Sequence, residues 1–157
     1  MLGKLSSVEI EEVIKHQVVG RLGCHADGMT YIVPVSYAYD GDYIYVRTFE
    51  GLKVDMMRKN PKVCFQIDAL YNMGNWQSVI AWGECQELKE AAERKDALQK
   101  LLDRALPFIS SETTHLTPHW PFPSLDIDTI EGIVFRIKLT AKTGRFEHMV
   151  PASVFAT

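Results

Sequence analysis

The sequence predicts a mainly β protein: a closed or half-closed barrel of six antiparallel strands with flanking helices. The first observation behind this prediction is a set of six runs rich in β-branched and aromatic residues, several of them alternating between apolar and other side chains. These runs are Val18–His25, Tyr31–Ala38, Tyr43–Thr48, Lys62–Asp68, Trp76–Leu88 and Ile133–Leu139. The second is that Asp27-Gly28 and Asp40-Gly41 separate the first three runs. Asp-Gly pairs are typical of tight hairpin turns, so these three runs predict a meander.

Three helices are predicted around the barrel. Ser6-Ser-Val-Glu9 fits a capping box, which predicts a helix over residues 7–16. A short helical segment follows Gly51 and is closed by Asn60-Pro61. The segment Lys89–Leu106 carries an apolar stripe on one helical face and ends before a proline. The proline-containing stretch 110–126 is predicted to be irregular.

Length and composition predict one globular domain spanning residues 1–157. The chain is 46% hydrophobic and 24% charged, with a net charge of −3, so a basic face for nucleic acid or a membrane surface is not expected. No apolar run approaches the ~20 residues that span a bilayer, and acidic residues precede any signal-like core. The three cysteines lie far apart inside apolar runs: Cys24, Cys64 and Cys85. They are expected to be buried thiols of a cytoplasmic protein.

A candidate phosphate site lies where the third strand passes into the second helix. Thr48 supplies a hydroxyl, Gly51 a flexible backbone and Lys53 a cation. Free backbone N–H groups and the helix dipole favour an anion at such a position. Spacing alone leaves a solvated turn with a surface lysine as an equal alternative.

Two further features suggest parts of a ligand site. Pro34 stands in the middle of a strand-like run and cannot donate to a ladder, so it is expected at an edge or bulge where backbone groups could face a ligand. Polar side chains also open the strand at Asn75-Trp-Gln-Ser78, either as part of a ligand site or as turn residues.

Other constellations are weaker. Cys24 and His25 are adjacent, so in a strand they point to opposite faces and cannot act as a pair. His115 and His119 have zinc-like spacing, but the surrounding prolines disfavour a helix, and no metal site is predicted. The same loop, with His119 and Trp120, could form a lid over a planar ligand or a hydrophobic strap; the strap is the favoured interpretation.

Taken in order, six segments of the chain resemble the pyridoxamine 5′-phosphate oxidase-like, FMN-binding split-barrel superfamily. The resemblance is strongest to its small bacterial branch, which includes nitroimidazole-resistance-type flavoproteins. It covers residues 5–88 well and 133–146 more loosely. The segments are Gly20-Arg-Leu-Gly23, Tyr31-Ile-Val-Pro-Val-Ser-Tyr37, Tyr43-Ile-Tyr-Val-Arg-Thr48, Gly51-Leu-Lys53, Asn60-Pro-Lys-Val-Cys-Phe65 and Trp76-Gln-Ser-Val-Ile-Ala-Trp-Gly83.

The resemblance implies a split barrel that binds FMN in a cleft between the two subunits of a homodimer. The phosphate-binding positions of the family correspond to Arg47, Thr48 and Lys53. The strand beside the isoalloxazine ring corresponds to Val33, Pro34, Val35 and Ser36. The polar strand start that reaches the flavin from across the dimer corresponds to Asn75, Trp76, Gln77 and Ser78.

The resemblance also limits the expected reaction. The oxidases proper carry a C-terminal Arg-x-His-type substrate signature, which Lys142-Thr-Gly-Arg-Phe-Glu147 does not supply. The expected function is therefore an FMN-dependent reductase that acts on an unassigned small molecule, with NADH or NADPH as electron donor and no assigned catalytic residue. The alternatives are a non-enzymatic, stress-associated flavin-binding module, a deazaflavin-binding protein, and a haem-handling member of the fold with His16, His25 or His119 as axial ligand.

Overall fold

The computed structural model describes residues 1–104 and 127–150, which form one antiparallel sheet with three helices against it. In chain order the elements are β1 (Leu2–Lys4), α1 (Ser7–His16), β2 (Val19–Ala26), β3 (Met29–Ser36), β4 (Ala38–Tyr39), β5 (Tyr43–Thr48), α2 (Leu52–Lys59), β6 (Lys62–Asn72), β7 (Asn75–Glu87), α3 (Ala91–Asp103), a 3₁₀ turn (Ile127–Thr129) and β8 (Ile133–His148).

The sheet is a barrel that does not close. Its strand order is β3-β2-β6-β7-β8-β5-β4, with β1 pairing along the far half of β8. The two ends of this path are consecutive in the chain, because β3 ends at Ser36 and β4 begins at Ala38. Strand β3 approaches β5 without pairing to it. The gap between them is called the split below.

The six predicted strands are confirmed, but the predicted run Tyr31–Ala38 breaks at Tyr37 and its last residue belongs to β4. The predicted meander is wrong beyond β3, because β5 pairs with β4 and β8 and not with β3. The described residues add two short strands, β1 and β4. Both are too short to show an alternating pattern. Strand β8 continues to His148, nine residues beyond its predicted end. In its second half, an inward position is occupied by Gly144 and not by an apolar side chain. A Cβ added there would lie 2.8 Å from Leu5 and 2.9 Å from Ile10. An inward glycine lets these side chains pack against the strand, and it hides the strand from pattern analysis.

The two apolar clusters lie on opposite sides of the sheet. Fully buried side chains fill the barrel: Leu22, Ile44, Phe65, Ile67, Val79 and Ile137. Helix α3 packs outside β5 and β8 through Ala97, Leu98 and Leu101. Burial of this apolar surface is the main stabilising contribution to such a fold. Among the described residues, no helix is both long and apolar enough to cross a bilayer.

The predicted capping box begins α1. The Ser6 side chain accepts a hydrogen bond from the Glu9 N–H at 3.3 Å, and the Glu9 carboxylate accepts one from the Ser6 N–H at 2.7 Å. We expect Ser6→Ala to lower the free energy of unfolding by about 1 kcal/mol. For a domain of this size that corresponds to roughly 2–4 °C in Tm, measurable by circular dichroism. Ser7→Ala is the matched control, and an equal loss in both variants would contradict the assignment of the cap.

Candidate functional site

The open edge of β3 forms one wall of the split. Strand β3 pairs only with β2, so the prediction that Pro34 lies on an edge is confirmed. Tyr37 donates its N–H to the Val18 carbonyl on the β2 side at 3.0 Å. Backbone directions alternate along an antiparallel strand, so the groups of Pro34 and Ser36 are directed toward the open edge. The missing N–H of Pro34 therefore costs no ladder bond, and the edge offers carbonyl acceptors together with the Ser36 N–H.

The start of α2 lies in the loop that follows β5. Gly51 is its N-cap, in extended conformation with φ 169°, and no side chain caps the helix. The N–H groups of Leu52 and Lys53 have no acceptor within a helix at these first positions. An added Cβ on Gly51 would meet nothing within 4 Å, so space is open in front of the helix. This arrangement can bind an anion.

Lys53 adds a cation to this helix start. It is half-buried and makes no hydrogen bond or ion pair with the residues that the structure describes. Burial raises the pKa of the Cys24 thiol, the neighbouring Cys64 adds to this, and Lys53 opposes it. Lys53 belongs to the first turn of α2, the helix that packs on β2. A half-buried lysine without a carboxylate partner is a ready partner for an incoming anion.

The two other predicted phosphate residues, Thr48 and Arg47, differ in the hydrogen bonds that they already make. The Thr48 hydroxyl donates only a long hydrogen bond, of 3.4 Å, to the Phe49 carbonyl, so it can rotate toward another acceptor. The Arg47 Nε donates to the Glu131 carbonyl at 2.8 Å, and its guanidinium lies 4.7 Å from the centre of the Phe49 ring. Burial, followed by the charge of Arg94, lowers the pKa of Arg47, whereas Glu131 opposes this. A role for Arg47 at a phosphate stays a prediction.

An ion-pair network holds the loop before α2. Arg58 makes a bidentate pair with Glu50 at 2.9 and 3.0 Å, and it also bonds Glu87 at 2.9 and 3.1 Å. Glu50 is the acidic side chain nearest in sequence to the helix start, and Arg58 both neutralises it and draws it toward β7. Sequence reasoning missed Arg58, because a separation of eight residues matches no regular side-chain spacing on one helix.

The predicted residues at the start of β7 form a separate group. The Trp76 Nε1–H donates to the Glu147 carboxylate at 3.0 Å, and Ser78 Oγ accepts from the Gln66 amide at 3.1 Å. Asn75, Trp76 and Gln77 line a cavity of about 420 Å³ beside β1 and the end of β8. These polar groups belong to the strand itself, since the turn before them is only Met73-Gly74.

The phosphate candidates and this second group lie at opposite ends of β8. Thr48 pairs with Ile133, and Trp76 pairs with Glu147, fourteen residues further along the same strand. At about 3.3 Å per residue the path along β8 is roughly 46 Å. Asn75 and Trp76 therefore lie at the end of β8 opposite to Thr48. Ser78 lies nearer to the open edge, because it bonds Gln66, whose cross-strand neighbour Arg21 pairs with Pro34 of β3.

Among the described residues, the outer face of the sheet carries several exposed apolar side chains. Cross-strand pairing aligns Ile32, Gly23, Cys64 and Trp82 in one row, and Ile80 lies in the next row beside Gln66. Ile32 is 66%, Trp82 43% and Ile80 39% exposed. An added Cβ on Gly23 would lie 2.6 Å from Cys64 Sγ, so glycine keeps this face flat. This surface is called the outer sheet face below.

Two of the three histidines considered as haem ligands lie among the described residues, and the ring of each contacts an oxygen of this chain. His16 is exposed and its ring contacts the Glu12 carbonyl at 2.7 Å, while the ring of His25 contacts the Thr30 hydroxyl at 3.1 Å. His119 and Trp120, the lid candidates, lie outside the described residues. Within residues 1–104 and 127–150, no group of three or more His, Cys, Asp or Glu residues could hold a metal ion.

Known proteins share this fold and parts of this sequence. An uncharacterized protein of Rhizobium meliloti is 39% identical over 84 residues, which are 54% of this chain and 56% of that relative, so the alignment spans little more than half of its length. A FAD-binding protein of Mesorhizobium loti has 29% identity and a TM-score of 0.68, covering 93% of this chain and 98% of the other. A candidate 5-nitroimidazole antibiotic resistance protein of Bacteroides thetaiotaomicron has the same fold, with 18% identity, a TM-score of 0.68, and coverage of 93% and 87%.

The family itself follows from a match over most of the chain. Residues 6–145 match the model of the family described as pyridoxamine 5′-phosphate oxidase. The match extends from the capping box of α1 to Arg145 in β8, and so includes the split, the start of α2 and the outer sheet face. The chain belongs to the pyridoxamine 5′-phosphate oxidase family.

Proposed function

We propose that the protein binds a flavin, FMN, at the split, with the phosphate at the start of α2 and the ring along the open edge of β3. The observation that carries this proposal is the half-buried Lys53, without a partner among the described residues, beside an uncapped helix start. A phosphate there would receive the Lys53 charge and the N–H groups of Leu52 and Lys53. The donors and acceptors along β3 suit the polar edge of a heterocycle. The FAD-binding relative of Mesorhizobium loti supports the same class of ligand.

A bound flavin would supply the redox chemistry, and the protein would bind and orient it. The thiols offer little as alternative nucleophiles. Burial raises the pKa of Cys85 to about 12, with Cys24 and Glu87 adding to it, and burial also raises the pKa of Cys24. A thiol must ionise to attack, so at neutral pH these two stay unreactive.

We propose a flavin-dependent reductase rather than a pyridoxamine phosphate oxidase. The Arg-x-His-type signature is missing from β8, and Lys142 of this strand is already hydrogen-bonded within the chain. Lys142 bonds the Glu11 carboxylate and the Tyr39 hydroxyl, and Arg145 is exposed. Reduced nicotinamide as electron donor and a small molecule as acceptor complete this proposal.

The test begins with the colour of the purified protein. We expect flavin absorption and the release of FMN on denaturation, identified by chromatography, followed by reduction on addition of NADH or NADPH. Release of FAD would correct the identity of the flavin, and bound flavin that neither nicotinamide reduces would favour the non-enzymatic module. A colourless protein that no flavin reconstitutes, or a haem spectrum, would refute the proposal.

We also propose that the protein is a homodimer with a flavin at each interface. Two observations support this: the exposed apolar side chains of the outer sheet face, and the roughly 46 Å of strand between Thr48 and Trp76. Burying an exposed apolar face against a second copy is favourable. A two-fold axis could also bring Asn75–Ser78 of one protomer to the split of its partner.

A cytoplasmic location is part of the proposal. Cys24, Cys64 and Cys85 are all free thiols within strands, but only Cys24 is buried and the other two are partly exposed, so the expectation of three buried thiols is met at Cys24 alone. Unpaired cysteines suit a reducing compartment. Alkylation of the three thiols in protein unfolded directly from cells, counted by mass spectrometry, is expected to be complete without a reductant.

The ion pair between Arg58 and Glu50 predicts an electrostatic effect on phosphate binding. Arg58→Gln leaves the Glu50 carboxylate without its cation, so its negative charge would repel the proposed phosphate. We expect FMN affinity to fall about threefold to tenfold, because a charge interaction at the surface contributes up to ~1 kcal/mol, or somewhat more in a network. The double variant Arg58→Gln/Glu50→Gln should regain most of the loss, measured by fluorescence titration. Equal losses for FMN and riboflavin would instead indicate that Arg58 holds the loop and does not act through charge.

A further inference from the structure

Arg104 lies at the end of α3 and reaches the junction of β3 and β4. Its guanidinium Nη1 donates to the Ser36 hydroxyl oxygen and, at 3.1 Å, to the Tyr37 carbonyl. Its Nε is buried and has no hydrogen-bond partner. Helix α3 packs on β5 while Ser36 ends β3, so Arg104 joins the two sides of the split.

The arginines of this chain differ in their partners, and Arg104, like Arg94 with the Gly132 and Ile130 carbonyls, donates to neutral oxygens. Arg58 and Arg136 reach carboxylates, at 2.9 and 3.6 Å respectively. Among the described residues Arg104 contacts only neutral oxygens, and burial lowers the pKa of its guanidinium to about 10. A charge that is partly removed from water without a counter-charge is unfavourable, and such groups cluster at functional sites.

The bond to Ser36 has a direct chemical consequence. Ser36 Oγ accepts from a cation, which withdraws electron density from the hydroxyl and makes its O–H a stronger donor. No described residue accepts the hydrogen of that hydroxyl. Ser36 lies on the half-buried end of the strand that forms the open edge, so this donor is available to a ligand at the split.

We infer that Arg104 is a positioning residue that acts through Ser36: it fixes and polarises the Ser36 hydroxyl so that this donates to the ring of the bound flavin. This inference rests on the proposed function. Reduction adds electron density to the flavin ring, so a strengthened hydrogen bond to a ring acceptor stabilises the reduced form more than the oxidised form. Arg104 therefore raises the reduction potential of the bound flavin.

The test measures the midpoint potential of the flavin-loaded protein by reductive titration against a reference dye. We expect Arg104→Gln to raise the ratio of oxidised to reduced flavin at a fixed potential about tenfold, a shift of about −30 mV for a two-electron couple. Arg104→Lys keeps a cationic donor and should stay within about threefold of wild type. Ser36→Ala should shift the potential in the same direction, and in that background Arg104→Gln should change the ratio less than about threefold.

Arg136→Gln is the matched control, since it removes a half-buried arginine that bonds Gln86 and Glu93 and makes no bond to Ser36. An unchanged potential in Arg104→Gln, or an equal shift with and without the Ser36 hydroxyl, would overturn the inference. Should Arg104→Gln fold without retaining flavin, Ser36→Ala decides the question, because an unchanged potential in that variant also overturns it. A wild-type protein that binds no flavin would refute the proposed function instead, which is a separate result.

Discussion

We expect Lys53→Ala to weaken FMN binding by about 10- to 150-fold, because it would remove the proposed charge-assisted contact to the phosphate, worth about 1.5–3 kcal/mol. Lys53 is half-buried and at the first turn of an uncapped helix, so its ammonium is poorly replaced by water. Fluorescence quenching of FMN on titration with the flavin-free protein measures the dissociation constant.

Two controls isolate the phosphate in this experiment. Riboflavin has the same ring without a phosphate, so its affinity should be similar in wild type and Lys53→Ala. Lys62→Ala removes an exposed lysine at the start of β6 and should leave FMN affinity unchanged. Unchanged FMN affinity in Lys53→Ala would mean that the phosphate binds elsewhere, and an equal loss for riboflavin would mean that the substitution disturbs the fold.

We expect Ile80→Lys to dissociate the proposed homodimer. Ile80 lies on the outer sheet face, and in a two-fold interface every substitution occurs twice. Loss of apolar burial at both copies, together with two ammonium groups that must stay hydrated, should raise the dimer dissociation constant at least ~100-fold. Sedimentation velocity over a concentration series measures this shift.

Val8→Lys is the control for the dimer experiment, since Val8 is a 72% exposed apolar residue on α1, away from the outer sheet face. FMN affinity should fall together with dimerisation in Ile80→Lys, because Asn75–Ser78 would no longer meet the split of a partner. A wild-type monomer at micromolar concentration would contradict the proposed assembly. A monomeric Ile80→Lys protein with full FMN affinity would mean that one protomer holds the whole site.

Local chemistry made the hairpins and the first helix predictable. The turn between β2 and β3 needs positive φ at two successive residues, and Asp27 and Gly28 have φ 52° and 75°. Two other features follow from equally local rules. Ser6 caps a helix whose first N–H groups have no acceptor, and Pro34 lies at an edge because proline has no N–H to donate. Each of these features depends on a few neighbouring residues, so the sequence suffices.

Features that depend on distant contacts were not predictable in this way. The extension of β8 is hidden because Gly144 makes room for Leu5 and Ile10, which belong to the other end of the chain. The same holds for Arg104, whose partner Ser36 is 68 residues away in sequence. Such pairings become visible only when the barrel brings strands and helices together.

The candidate site also has a part that local sequence predicts and a part that depends on distant contacts. The cluster of Thr48, Gly51 and Lys53 was predictable as a candidate anion site, since a strand, a loop and a helix start are contiguous. Whether Asn75–Ser78 approach it was not, because that depends on the pairing of distant strands and, in the proposed assembly, on a second copy. The resemblance to the family supplied the order of the segments.

The most direct measurement is a crystal structure of the protein with FMN. We expect one flavin per protomer, with its phosphate about 3 Å from Lys53 Nζ and from the N–H groups that begin α2, and its ring along the open edge of β3 next to Ser36. A flavin phosphate bound away from Lys53, or a flavin that leaves the split empty and binds at another surface, would contradict the proposed site.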